Sequence, residues 1–151
     1  MNIAIAVLLV LQLSATRAEC DLTRRQMMPI FSDLYEASHT AAKDTERALF
    51  LTRDDAGNLD YKLWPATQQR RKASYRGPVP PNTVAIAHTH PHGMPKPSQH
   101  DINEAARTGL PIYVITRTSI ARVDPDRTTK ELVRRDWVGG DVATEACEMW
   151  G

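Results

Sequence analysis

Apolar positions in this chain recur with two periods, and each period predicts a different element. Between Asp21 and Ala42 they fall at Leu22, Met27, Met28, Ile30, Phe31, Leu34, Tyr35 and Ala41. The spacing is mostly three and four, which predicts a helix entered or bent at Pro29. Ala48 to Leu51 is a short unbroken apolar run, followed by the turn formers Asp54-Asp55-Ala56-Gly57-Asn58, after which Leu59 to Trp64 resumes. That sequence predicts a β-hairpin. Pro65 to Pro81 is polar and basic, with Arg70, Arg71, Lys72 and Arg76. It reads as a long connection with room for a short helical piece, its charges either solvated or facing a substrate.

Val84 to Ala87 has the pattern of a buried strand running into His88, and Pro91 to Pro97 forms a proline-rich loop. Ser98 then opens a helix with Ile102, Ala105, Ala106 and Leu110 inward and Gly109 near its end. Ile112 to Ile115 predicts a second buried strand. A turn at Thr118 and Ser119 leads into Ile120 to Val123, and Glu131 to Val138 adds a further strand. Helix, hairpin, loop, strand, helix and two or three strands make an α/β arrangement around a mixed sheet.

Composition narrows the picture. The chain has 151 residues, 42% hydrophobic and 25% charged, which suits one folded domain rather than two and excludes wholesale disorder. Nineteen basic residues against 18 acidic give a formal charge of +1, so there is no basic surplus of the kind nucleic-acid binders carry. No apolar run reaches the roughly 20 residues of a membrane-spanning helix. Two cysteines are too few for a disulfide scaffold or a four-thiolate zinc site.

Residues 1–18 read as a secretory signal peptide: Ile3 to Leu11 is uninterrupted apolar, and Ala18 is a small residue at a cleavage point. No Lys or Arg precedes the apolar run, and the alternative is an N-terminal helix packed on the domain. Glu19 argues against a lipoprotein reading of Cys20. Cleavage would leave residues 19–151 as a single exported domain, periplasmic or secreted. There Cys20 and Cys147, near its two ends, are expected to form one disulfide.

The chemistry concentrates between His88 and Asp101. His88 and His90 are two apart at a strand end, so both imidazoles share a face. Two imidazoles suit a borderline metal such as zinc, and Asp101, in the first turn of the next helix, is placed to be the third ligand. Three protein ligands leave a fourth position open for water, as in catalytic zinc sites. The base for such a site should be an uncoordinated carboxylate. Glu46, just before the first strand, is the first candidate and Glu36, in the first helix, the second. Ser98 can donate to an oxyanion. Each residue also has a plainer reading. Ser98 and Asp101 make a serviceable helix N-terminus, and a lone His-x-His on a strand is more often structural. His92 and His100 read as exposed loop and helix positions rather than ligands, His39 as unrelated, and Trp64, Trp137 and Trp150 as packing residues.

His-x-His, seven residues, Ser, two residues, Asp is the motif of the JAMM (MPN+) metalloproteases, and His88, His90, Ser98 and Asp101 match it in full, with Pro91 in its usual place. The resemblance spans Glu46 to Val123. It implies one JAMM/MPN-like α/β domain, a mixed β-sheet flanked by helices with cytidine-deaminase-like layering. It implies a zinc (Zn2+) metallopeptidase or isopeptidase with His88, His90 and Asp101 as ligands, Glu46 as acid/base and Ser98 as oxyanion donor. Members often cleave isopeptide bonds of ubiquitin-like conjugates, and bacterial relatives include other peptidases and phage-tail components. For an exported chain the expected substrate is a peptide or protein, such as a cell-wall peptide or an isopeptide conjugate. Neither nucleic acid nor stable membrane insertion is expected. The alternatives are a catalytically silent zinc-binding interaction module of the same fold, or a structural component of an exported assembly.

Overall fold

The computed structural model describes residues 24–39, 45–67, 73–92, 94–134 and 137. The expected signal peptide, Cys20, Cys147, Trp150 and the basic residues Arg70, Arg71 and Lys72 lie outside the described residues. The elements in chain order are α1 (residues 24–39), β1 (Ala48–Arg53), β2 (Leu59–Leu63), β3 (Thr83–Thr89), α2 (Gln99–Thr108), β4 (Ile112–Ile115), β5 (Ser119–Val123) and β6 (Thr129–Arg134).

The six strands among the described residues join one sheet in the order β2-β1-β3-β4-β5-β6. β3 and β4 are parallel and every other neighbouring pair is antiparallel, so the sheet is mixed as expected. Parallel strands cannot be joined by a hairpin, and α2 supplies the crossover between them. Its N-terminus therefore lies near the carboxyl end of β3, where α/β sheets form ligand crevices.

The strands alternate between two apolar layers. On one face Met27, Ile30, Phe31, Leu34 and Tyr35 of α1 pack on Leu49, Leu51, Ala87, Tyr113 and Ile115. On the other, Phe50, Ile86, Ile112 and Val114 pack against Ala105 of α2, flanked by Ile102 and Leu110. Central strands covered on both faces read as continuous apolar runs, which is why Ala48 to Leu51 and Ile112 to Ile115 show no alternation in sequence.

The hairpin turn forms where Asp54 to Asn58 predicts it. The Asp54 N–H donates to the Asn58 carbonyl at 3.0 Å, and Gly57 takes φ +85°, a conformation open to glycine at little cost. Residues 68–72, in the middle of the 65–81 connection where a short helical piece has room, lie outside the described residues. Three expectations change. The helix is already formed from residue 24, five residues before Pro29, so Pro29 does not begin it; it sits on the exposed side. Ala106 is only half-buried and stands outside the core of α2. The last strand starts at Thr129 rather than Glu131, because residues 124–128 close a tight turn with Arg127 at φ +72°. Among the described residues, no helix is long and apolar enough to cross a membrane.

Candidate metal centre

β3 carries His88, and the chain leaves the sheet with His90 just beyond its end. The His90 N–H still donates to the Ile115 carbonyl at 2.9 Å, so the second imidazole keeps the strand's side-chain parity. The two Nε2 atoms lie 3.1 Å apart.

Asp101 arrives from α2. Ser98 is the N-cap and Asp101 is the third helical residue, and the two close a reciprocal capping box. The Asp101 N–H donates to Ser98 Oγ at 3.3 Å. In return the Ser98 N–H and hydroxyl donate to Asp101 Oδ2 at 2.6 and 2.7 Å. Oδ2 is thus engaged by the cap, while Oδ1 faces His88 Nε2 at 3.3 Å. The plain reading of Ser98 and Asp101 as a helix start and the metal-site reading of Asp101 both describe this one carboxylate, through different oxygens.

His88, His90 and Asp101 form a group whose potential ligand atoms all lie within 4.8 Å of one another. Tetrahedral coordination at roughly 2.0–2.2 Å spaces ligand atoms roughly 3.3–3.6 Å apart. Two of the three separations, 3.1 and 3.3 Å, come close to that edge length, and the group could hold a small N/O-coordinated dication. Asp101 is only 5% exposed, and a buried carboxylate needs a cationic or hydrogen-bonding partner. Burial is the main cause that pulls the His88 pKa from 6.5 to about 4. Asp101 opposes that shift, and His90 and His100 add to it. At neutral pH the His88 ring is therefore uncharged and its lone pair is available.

Glu46 is placed by strand pairing. Ala48 pairs with His88 in the antiparallel β1–β3 ladder, and the pairing extends one residue further. The Thr89 N–H donates to the Arg47 carbonyl at 2.9 Å, and the Arg47 N–H donates to Thr89 Oγ1 at 3.0 Å. Glu46, two residues before Ala48, lines the same cleft as Ala48, His88 and His90. The Ala73 N–H donates to Glu46 Oε2 at 3.3 Å, tying the carboxylate to the long connection. Glu36 does not reach this place: it is exposed on α1, which packs on the opposite face of the sheet.

These groups line one open cleft of about 1210 Å³. Trp64, Tyr75 and Met94 supply apolar wall, and Lys96, His92, His100 and Glu104 add polar groups at its sides. His92 and His100 are exposed and stand outside the three-residue group, as expected. Trp64 packs on Phe50 with ring centroids 5.1 Å apart, and Trp137 is buried, so both act as packing residues. His39 meets Tyr35 edge-to-face on α1, on the far side from the cleft.

Sequence reasoning missed Thr89, which is fully buried and clamps Arg47. It also missed Met94, whose carbonyl lies 3.4 Å from His90 Nδ1. A backbone acceptor leaves no trace in side-chain identity, and a buried Thr in a strand looks like any β-former.

Two imidazoles and a capped carboxylate meeting where a strand end faces a helix start define an α/β domain with a candidate metal-binding cleft. The family model described as prokaryotic homologs of the JAB domain matches residues 33–135, and the chain belongs to that family. The matched span holds all six strands, α2 and every candidate site residue. The family includes metalloisopeptidases and also inactive members, so membership points to a metal-dependent hydrolase or an interaction module. Among solved structures, the chain is similar to the solution structure of a protein from Salinibacter ruber. That protein is 17% identical, and the match covers 78% of this chain and 94% of that one with a TM-score of 0.40. No curated protein matches the sequence.

Proposed function

We propose that this protein is an exported, zinc-dependent hydrolase that cuts an amide or isopeptide bond in a peptide or protein. The observation that carries the reading is the convergence of His88, His90 and Asp101 within 4.8 Å, in a cleft also lined by Glu46. Zinc, when bound there, would acidify water and polarise the scissile carbonyl. The chain's own residues do the rest. His88 offers a neutral Nε2, and Asp101 offers Oδ1 while its cap holds Oδ2. Glu46 takes the proton of the attacking water and returns it to the leaving amine. Ser98 donates to the developing oxyanion, for which its hydroxyl must exchange the bond it makes to Asp101. The apolar wall of Trp64, Tyr75 and Met94 seats a peptide. Export rests on the sequence pattern of residues 1–18, and N-terminal sequencing of the cell-expressed protein tests it, with a start at Glu19 expected.

A second reading has its own support. The Ser98 hydroxyl is already committed to Asp101, as a purely structural cap would be, which favours a zinc-holding interaction module. Glu46→Gln separates the two. For the enzyme, metal-loaded wild type cleaves members of a peptide and isopeptide panel. The variant keeps stoichiometric zinc and loses about 10²–10⁴-fold in rate, the usual contribution of a general base. Zinc-loaded wild type and variant that are both inert across the panel leave the module.

A further inference from the structure

We propose that Ser119 is a positioning residue for His90: by anchoring the proline-rich loop it fixes which ring nitrogen of His90 carries the proton. The inference rests on the assignment of His90 as a ligand under the proposed function, but its first readout needs no metal.

His90 Nδ1 lies 3.4 Å from the Met94 carbonyl. A carbonyl only accepts, so the contact requires a proton on Nδ1 and leaves Nε2 with its lone pair toward His88. The Met94 carbonyl can hold that role only if the loop is held. Met94 itself cannot hold it, because its side chain is 74% exposed. The next carbonyl along the chain, that of Pro95, accepts the Ser119 hydroxyl at 3.2 Å across 24 residues of sequence. Pro95 has a fixed φ and confines Met94 before it to extended conformations. Pinning the Pro95 carbonyl therefore restrains the Met94 carbonyl one peptide away.

Ser119 is well placed to be the fixed end. It is 2% exposed, at the start of β5. Thr116 Oγ1 lies 2.9 Å from Ser119 Oγ and accepts the Ser119 N–H at 3.0 Å. The Thr116 carbonyl accepts the indole N–H of Trp137 at 2.7 Å. The Thr116 hydroxyl has two acceptors, Ser119 Oγ and the Ser119 carbonyl at 3.2 Å; when it donates to Ser119 Oγ, the single Ser119 hydroxyl proton goes to Pro95. A buried polar network with every member satisfied is rigid.

The test compares Ser119→Ala with Thr116→Val in the full chain. Thr116→Val damages the same turn but leaves Ser119 free to donate to Pro95. Nitrogen NMR of the metal-free proteins, at about pH 8.5 where an unperturbed imidazole is neutral, reads the His90 tautomer. Competition with a chromophoric chelator reads zinc affinity, and urea unfolding of metal-free protein reads stability. Ser119→Ala is expected to convert His90 from the Nδ1–H tautomer to a mixture and to weaken zinc about 10–100-fold, as outer-shell losses do. Thr116→Val is expected to lose stability without changing the tautomer. Pro95→Ala keeps the carbonyl but frees Met94; it should reproduce the tautomer shift and replaces Ser119→Ala should that variant not fold. An unchanged tautomer in both Ser119→Ala and Pro95→Ala overturns the proposal, as does an equal change in Thr116→Val. A tautomer shift in a protein that binds no zinc upholds the tether and removes the zinc reading instead.

Discussion

Asp101 carries two duties on two oxygens, and substitution can separate them. Oδ2 closes the capping box with Ser98, and Oδ1 faces His88. Asp101→Asn keeps a side-chain oxygen that can accept from the Ser98 N–H but removes the charge. The lost interaction with the N-terminal end of α2 is worth about 0.3–1 kcal/mol. Asp101→Ala removes the acceptor as well, and loss of a cap adds about 1 kcal/mol. Relief of burying a carboxylate offsets part of both costs. In the metal-free protein the ordering should therefore be wild type, then Asn, then Ala, spanning about 1–2 kcal/mol. Zinc affinity should order differently. Both variants lack the anionic ligand oxygen, so both should fall together by more than the 10–100-fold typical of an outer-shell partner. Urea unfolding in chelator and zinc competition measure the two effects on the same samples. An Asn variant that binds zinc like wild type would refute the ligand role, and equal stability of all three would refute the capping role.

Two further outcomes follow from the geometry. His88 is depressed to about 4 in the fold and has an ordinary value when unfolded, so the unfolded chain binds its proton first. Metal-free protein should be fully stabilised by this group above about pH 6.5 and lose up to about 3 kcal/mol as pH falls from there toward 4, where the folded ring also protonates. Unfolding free energies of wild type and His88→Leu across that range measure the difference, and parallel curves contradict it. Thr89→Val preserves shape but leaves the Arg47 N–H without its side-chain acceptor, at a cost of about 1–3 kcal/mol. Because Arg47 holds the neighbouring Glu46 at the cleft, peptide cleavage should drop more than zinc content. Equal losses would place Thr89 in the core alone.

Local signals were legible in the sequence. The Asp54–Asn58 turn, the Ser98 start and Gly109 end of α2, and the shared face of His88 and His90 all follow from residues a few positions apart. There steric preference and side-chain period act directly. Even the early strand start at Thr129 was a local matter. The turn over residues 124–128 needs a left-handed Arg127, and sequence does not advertise that conformation at a non-glycine residue.

What joined these pieces was decided by pairing across the sheet. Glu46 and Glu36 are two carboxylates near two apolar segments, and nothing local ranks them conclusively. The β1–β3 pairing brings Glu46 into the cleft of His88 and His90, while α1 covers the other face and carries Glu36 with it. The split of Asp101 between cap and cleft, and the reach of Ser119 to Pro95, likewise depend on elements distant in sequence. Periodicity fixes which way a side chain points relative to its own strand or helix. Only the packing of one element on another fixes what it points at, because that choice is made by burial summed over the whole apolar surface.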